Sequence, residues 1–139
     1  MHKFVLTVTG SFIILHRTAL YIPIRDTETV MFDLIEHGND IYIVKMKLAE
    51  VHTLDVPELK EKLQQTIISK GIRRMVIDLA NVKMITSSGI GIFLNINQSL
   101  KSNLRLASPN PEVQKVLELT KVTSVIKVFE TVDAAAKSY

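Results

Sequence analysis

The sequence predicts a single α/β domain, a mixed β-sheet carrying about four helices, preceded by an extra apolar segment. Three observations predict it. The chain has 139 residues, 47% of them hydrophobic and 22% charged, enough for one packed core and incompatible with wholesale disorder. From Met31 onward, short runs rich in Val and Ile alternate with stretches whose apolar residues recur every three or four positions. One well-marked helix lies between two strand-like runs, and strands joined through a helix pair in parallel.

The elements follow in order. Residues 4–15, FVLTVTGSFIIL, are too short to span a membrane, which takes about 20 apolar residues. His16 and Arg17 follow at once with no A-x-A site, which argues against a signal peptide. The Val, Ile and Thr content suits an extra pair of strands turning at Gly10-Ser11, or an appendage covering a sheet edge. Residues 1–30 are therefore expected to form an extension and residues 31–139 the domain proper; a start at Met31 is the competing reading. Phe32 to Glu36 and Ile41 to Leu48, separated by Gly38-Asn39-Asp40, predict a hairpin.

Asp55 as N-cap, Glu58 three residues on and a Leu54/Leu59 staple predict a helix start. Leu59, Leu63 and Ile67, widened by Ile68, give that helix its inner face, and Gly71 ends it. Arg74 to Ala80 reads as a buried strand, Thr86 to about Lys101 as a loop and second helix, and Leu104 to Ala107 as the next strand. Asn110 caps a helix that begins at Pro111, with Val113, Val116 and Leu117 inward. Val125 to Phe129 predicts a last strand, and Thr131 or Asp133 opens a terminal helix ending at Lys137.

Composition excludes several functions. The 17 basic and 14 acidic residues leave a net charge of only +3, spread along the chain, so no nucleic-acid partner is expected. There is no cysteine, which removes disulfides, thiolate metal sites and cysteine nucleophiles and fits a reducing cytoplasm. His2, His16, His37 and His52 show no HxxxH pairing, so neither a metal nor another cofactor is expected. No GxxxxGK[ST], GxGxxG or GxSxG motif occurs, and no histidine stands locally to activate Ser87 or Ser88, which argues against an enzyme.

The informative segment is Thr86-Ser87-Ser88-Gly89-Ile90-Gly91, between a strand and a helix. Capping by Ser87 or Ser88 accounts for one hydroxyl. It does not account for three hydroxyls followed by two glycines, each costing about 1 kcal/mol in a helix. Something must approach the backbone there. Phosphate on a hydroxyl at a helix start adds about −1.5 to −2 charges to whatever surface a partner meets. Ile90, Phe93, Leu94 and Asn97 share one helix face while Ile92 and Ile96 lie off it, so the helix is either buried between layers or offers a docking surface.

From Met31 to the end the chain resembles the STAS domains of bacterial anti-sigma factor antagonists. The resemblance rests on Val76-Ile77-Asp78-Leu79 leading through Val82 to Ile85, and on Ser87-Ser88-Gly89-Ile90-Gly91, which is similar to the family signature at its second helix. Leu106-Ala107-Ser108-Pro109, the Val113, Val116, Leu117 and Leu119-Thr120 positions, and the ending Val128 to Ala135 extend it. It implies a cytoplasmic, non-enzymatic switch that binds an anti-sigma factor and so releases a sigma factor to regulate transcription. Its partners are an anti-sigma factor that is a serine-protein kinase, which phosphorylates Ser87 and so releases itself, and a resetting phosphatase. Thr86, Ser88, Gly89, Ile90, Gly91, Ile92 and His52 are implied as partner-binding. Thr86 and His52 stand where the family carries acidic residues. The alternative is an unphosphorylated STAS subunit of a larger assembly such as a lipid-transport complex. A ligand-binding module resting on the anion-friendly helix start is a third. No membrane contact is expected, and a homodimer is compatible.

Overall fold

The structure, a computed structural model, describes residues 6–9, 12–15, 20–23 and 31–139. The chain divides into two compact units, Met1–Val30 and Met31–Tyr139. In the first, β1 (Leu6–Thr9), β2 (Phe12–Leu15) and β3 (Leu20–Pro23) pair antiparallel in that order. The sequence suggests two strands; Leu20–Pro23 adds a third. The expected turn at Gly10-Ser11 lies outside the described residues, as does any cover over a sheet edge.

The larger unit is built on a five-stranded mixed sheet. Its strands are β4 (Phe32–Gly38), β5 (Ile41–Met46), β7 (Arg74–Asp78), β9 (Leu104–Ala107) and β10 (Lys127–Phe129), ordered β10-β9-β7-β5-β4. Only the β4–β5 hairpin is antiparallel. Asn39 and Asp40 both adopt positive φ, 53° and 60°, as a two-residue hairpin turn requires. A short parallel ribbon, β6 (Glu50–Val51) with β8 (Met84–Ile85), stands apart from the main sheet. Four helices complete the unit: α1 (Val56–Lys70), α2 (Ser87–Ser99), α3 (Pro111–Leu119) and α4 (Val132–Lys137).

Strand alternation separates two layers. Val44 and Met46, Met75 and Ile77, and Leu104 and Leu106 point to one face, where they meet Leu59, Leu63 and Ile67 of α1, Ile90, Phe93 and Ile96 of α2, and Val113 and Leu117 of α3. Ile41, Ile43, Val76 and Ala107 point to the other, where Ala135 and Ala136 of α4 cover them. Small residues on α4 let a short helix lie close to the sheet.

Several local expectations are corrected. Asp55 makes no N-cap bond; it ends a 3₁₀ turn (Thr53–Asp55), and its Oδ2 accepts instead from His52 N–H at 2.8 Å. Leu54 is 93% exposed, so no staple forms with Leu59, and Glu58 pairs with Lys62 at 3.2 Å. Ile68 is exposed and does not widen the buried stripe of α1. The last strand starts at Lys127 because a 3₁₀ turn (Val122–Ser124) occupies its approach and leaves Val125 exposed. Other signals match: Gly71 takes φ 62° at the end of α1, Asn110 Oδ1 accepts from Val113 N–H at 2.7 Å, and Thr131 Oγ1 accepts from Ala134 N–H at 3.0 Å. Among the described residues, no helix is long and apolar enough to cross a membrane.

Candidate functional site

The hydroxyl turn sits where β8 passes into α2. Thr86 N–H donates to Val51 O at 3.1 Å, continuing the parallel register of Glu50 with Met84 and Val51 with Ile85. That register places His52 alongside Thr86. Val51 and Ile85 turn into the core, while Glu50 and Met84, one residue away on each strand, face out. The 3₁₀ turn after His52 packs against α2, closing the site from the side.

Within the turn the three hydroxyls divide their work. Thr86, extended at φ −79° and ψ 162°, is the N-cap of α2, and its Oγ1 accepts from Gly89 N–H at 3.2 Å. The sequence reading placed the cap on Ser87 or Ser88. They are instead the first two helical residues, and both are exposed. Capping satisfies one backbone donor and is worth about 1 kcal/mol. With Thr86 doing it, both serine side chains are left at the surface.

The two glycines also differ. A Cβ on Gly89 would lie 2.8 Å from Ile85 Cγ1 and 3.0 Å from Val51 Cγ1. What approaches the Gly89 backbone is therefore the domain's own ribbon. A Cβ on Gly91 would meet nothing within 4 Å. Ile90 and Ile92, expected at a partner surface, are each only 2% exposed and belong to the core with Phe93 and Ile96. The helix is apolar on several faces because it is buried between α1 and the sheet. Its outer stripe is Ser87, Ser88, Gly91, Leu94 and Gln98, with Leu94 42% exposed.

The fold agrees with known proteins. The STAS-domain profile matches residues 34–135. The chain belongs to the STAS-domain family. A Thermotoga maritima protein named as a candidate anti-sigma factor antagonist is 27% identical over 99 residues, covering 69% of this chain and 88% of that protein. Bordetella bronchiseptica BtrV, named likewise, is 28% identical over 92 residues, covering 64% and 78%. A crystal structure of a Thermotoga maritima candidate antagonist superposes with a TM-score of 0.67 at 25% identity, over 78% of this chain and 93% of that one. The anti-sigma factor antagonist SpoIIAA, in its unphosphorylated form, shares the fold with a TM-score of 0.65 at 18% identity, over 77% and 94%.

In this STAS domain the ribbon gathers His52, Thr86, Ser87 and Ser88 at one end, and Gly91 follows one turn along α2. Gly89, Ile90 and Ile92 lie beneath, as its support. Sequence reasoning missed two contributors. Glu50, whose Oε2 is 2.9 Å from His52 Nε2, belongs to a two-residue strand too short to show periodicity. The sequence assigns Leu54 to packing, whereas the 3₁₀ geometry of residues 53–55 leaves it exposed.

Proposed function

We propose that this STAS domain is an anti-sigma factor antagonist that docks an anti-sigma factor on the hydroxyl turn and is switched by phosphorylation of Ser87. The names of its relatives support the first part. One local observation carries the second: Thr86 caps the helix, so Ser87 stands exposed at the first position of α2 without a structural task. The partner is a serine-protein kinase that transfers the γ-phosphoryl group of ATP to Ser87 Oγ, with loss of the hydroxyl proton and release of ADP. A phosphatase hydrolyses the ester. The domain itself acts as a binding protein in the cytoplasm, not as an enzyme.

The surface fits that role. Ser88, Gly91 and Leu94 form a low-relief stripe beside Ser87 on which a partner can lie close, and exposed Leu54 and half-exposed Met84 add apolar area at its edge. A phosphate in that surface places up to two charges where the partner would have to desolvate them. Thr86 and His52, with Glu50, form the polar rim. We read residues 1–30 as an extension outside the family match.

The test is recovery of the chain from its source cell, with identification of bound proteins and mapping of phosphosites. The expected result is a serine kinase bound to the unmodified chain and phosphate on Ser87. A constitutive complex with transport proteins and no modified serine would overturn this reading.

A further inference from the structure

Glu50 and His52 lie two residues apart on one strand path, so their side chains leave the same face of the ribbon, which Thr86 shares across the register. His52 Nε2 is 2.9 Å from Glu50 Oε2, and the side chains remain 51% and 56% exposed. The His52 backbone is pinned by its N–H bond to Asp55 Oδ2 at 2.8 Å. Adjacent strands run about 4.8 Å apart, and the register sets His52 beside Thr86, the residue that precedes Ser87.

Charge around Ser87 is sparse. Helix α2, SSGIGIFLNINQS, carries no ionisable side chain. The ionisable groups on neighbouring elements are Glu50 and His52 on the ribbon, Asp55 on the 3₁₀ turn and Lys83 before β8. Helix α1, which packs on α2, carries Glu58, Lys60, Glu61, Lys62 and Lys70, with Glu58 paired to Lys62, and Glu112, Lys115 and Glu118 lie on α3, which packs beside β8. On the outward ribbon face, His52 is the ionisable side chain able to donate to an anion.

We propose that His52 is a two-state phosphate clamp, bonded to Glu50 in the unmodified protein and to the phosphate once Ser87 is phosphorylated. The proposal rests on Ser87 being the phosphoacceptor. A phosphoserine offers three acceptor oxygens and about −1.5 to −2 charges against the single charge of Glu50, so an imidazole donor within reach of both moves to the phosphate. The exchange also releases the Glu50 carboxylate. The docking face then gains the phosphate and an uncovered carboxylate together, and undocking exceeds what the phosphate would cause by itself.

The experiment uses the full chain with phosphoserine genetically encoded at position 87, so no kinase is needed. The phosphorus resonance is titrated in that protein and in the same protein carrying His52→Gln. The second ionisation, near pH 6 in a free phosphoserine, is expected about half a pH unit lower with His52 present. A nuclear Overhauser effect between the phosphorus and the His52 ring protons is expected as well. Coincident titrations would overturn the clamp, and so would a difference without the Overhauser effect, which a distant charge produces. Failure of the switch itself would appear as a kinase that leaves Ser87 unmodified, a separate observation.

Discussion

Gly89 and Gly91 stand two residues apart in one helical turn and answer to different neighbours. At Gly89 a methyl group would press on Ile85 and Val51, both branched at Cβ and both buried. Gly89→Ala is expected to destabilise the domain by about 1–3 kcal/mol. Gly91→Ala meets open space and gains helix propensity, so it is expected to hold or raise stability by up to about 1 kcal/mol. Denaturant unfolding of both variants checks the pair. Equal losses would mean that the ribbon does not set the Gly89 requirement. Gly91, costing stability with no packing reason, is the residue where close approach of a partner remains as the explanation, and Gly91→Ala should weaken docking while leaving the fold intact.

Tyr139 sets an alkaline limit at the far end of the sheet. Its one hydroxyl proton is shared between Met75 O, at 2.7 Å, and Asn103 O, and the Arg105 guanidinium lies 4.4 Å from the ring centroid. Burial pushes its pKa up to about 12 against the opposing pull of Arg105. An unfolded tyrosine titrates near about 10, so between those values the unfolded chain holds fewer protons than the folded one. Stability from this group is complete below the lower value and falls as pH rises through the upper. Tyr139→Phe is expected to flatten that limb of the stability curve; an unchanged limb would contradict the assignment.

Elements were legible where their signals were local. The hairpin turn, the Gly71 stop and the Asn110 and Thr131 caps each depend on a few adjacent residues, and each stands where the sequence puts it. The β6/β8 ribbon was not legible, because four residues paired across 34 positions leave no periodicity to read. Missing it hid Glu50 and the reason for Gly89. Capping at Thr86 was missed for a related reason: three successive hydroxyls offer equal candidates, and the bond from Thr86 N–H to Val51 O is what ends the strand there. The α1–α2 pair gives an element-scale test. Leu63 and Phe93 are fully buried in their shared core, and Gln64 Nε2 donates to Asn95 Oδ1 at 2.7 Å and to Ser99 Oγ at 2.8 Å across the surface above. Leu63→Ala is expected to cost about 2–5 kcal/mol and Gln64→Ala far less, by thermal unfolding. Similar losses would place the helix contact in the polar layer instead.

At the scale of the whole molecule, the fold holds one end rigid and leaves it plain. Two layers cover the sheet, the ribbon braces the start of α2 through Gly89, and the outer stripe of that helix carries no charge. A single phosphate on Ser87 would therefore dominate the local field, as the proposed switch requires. The most direct measurement is the affinity of the proposed partner, the anti-sigma factor kinase, for the unmodified chain, for Ser87→Ala and for the chain carrying phosphoserine at position 87. Near-equal binding of the first two and at least tenfold weaker binding of the third, about 1.4 kcal/mol, is the expected result. Equal affinity for all three would contradict the switch.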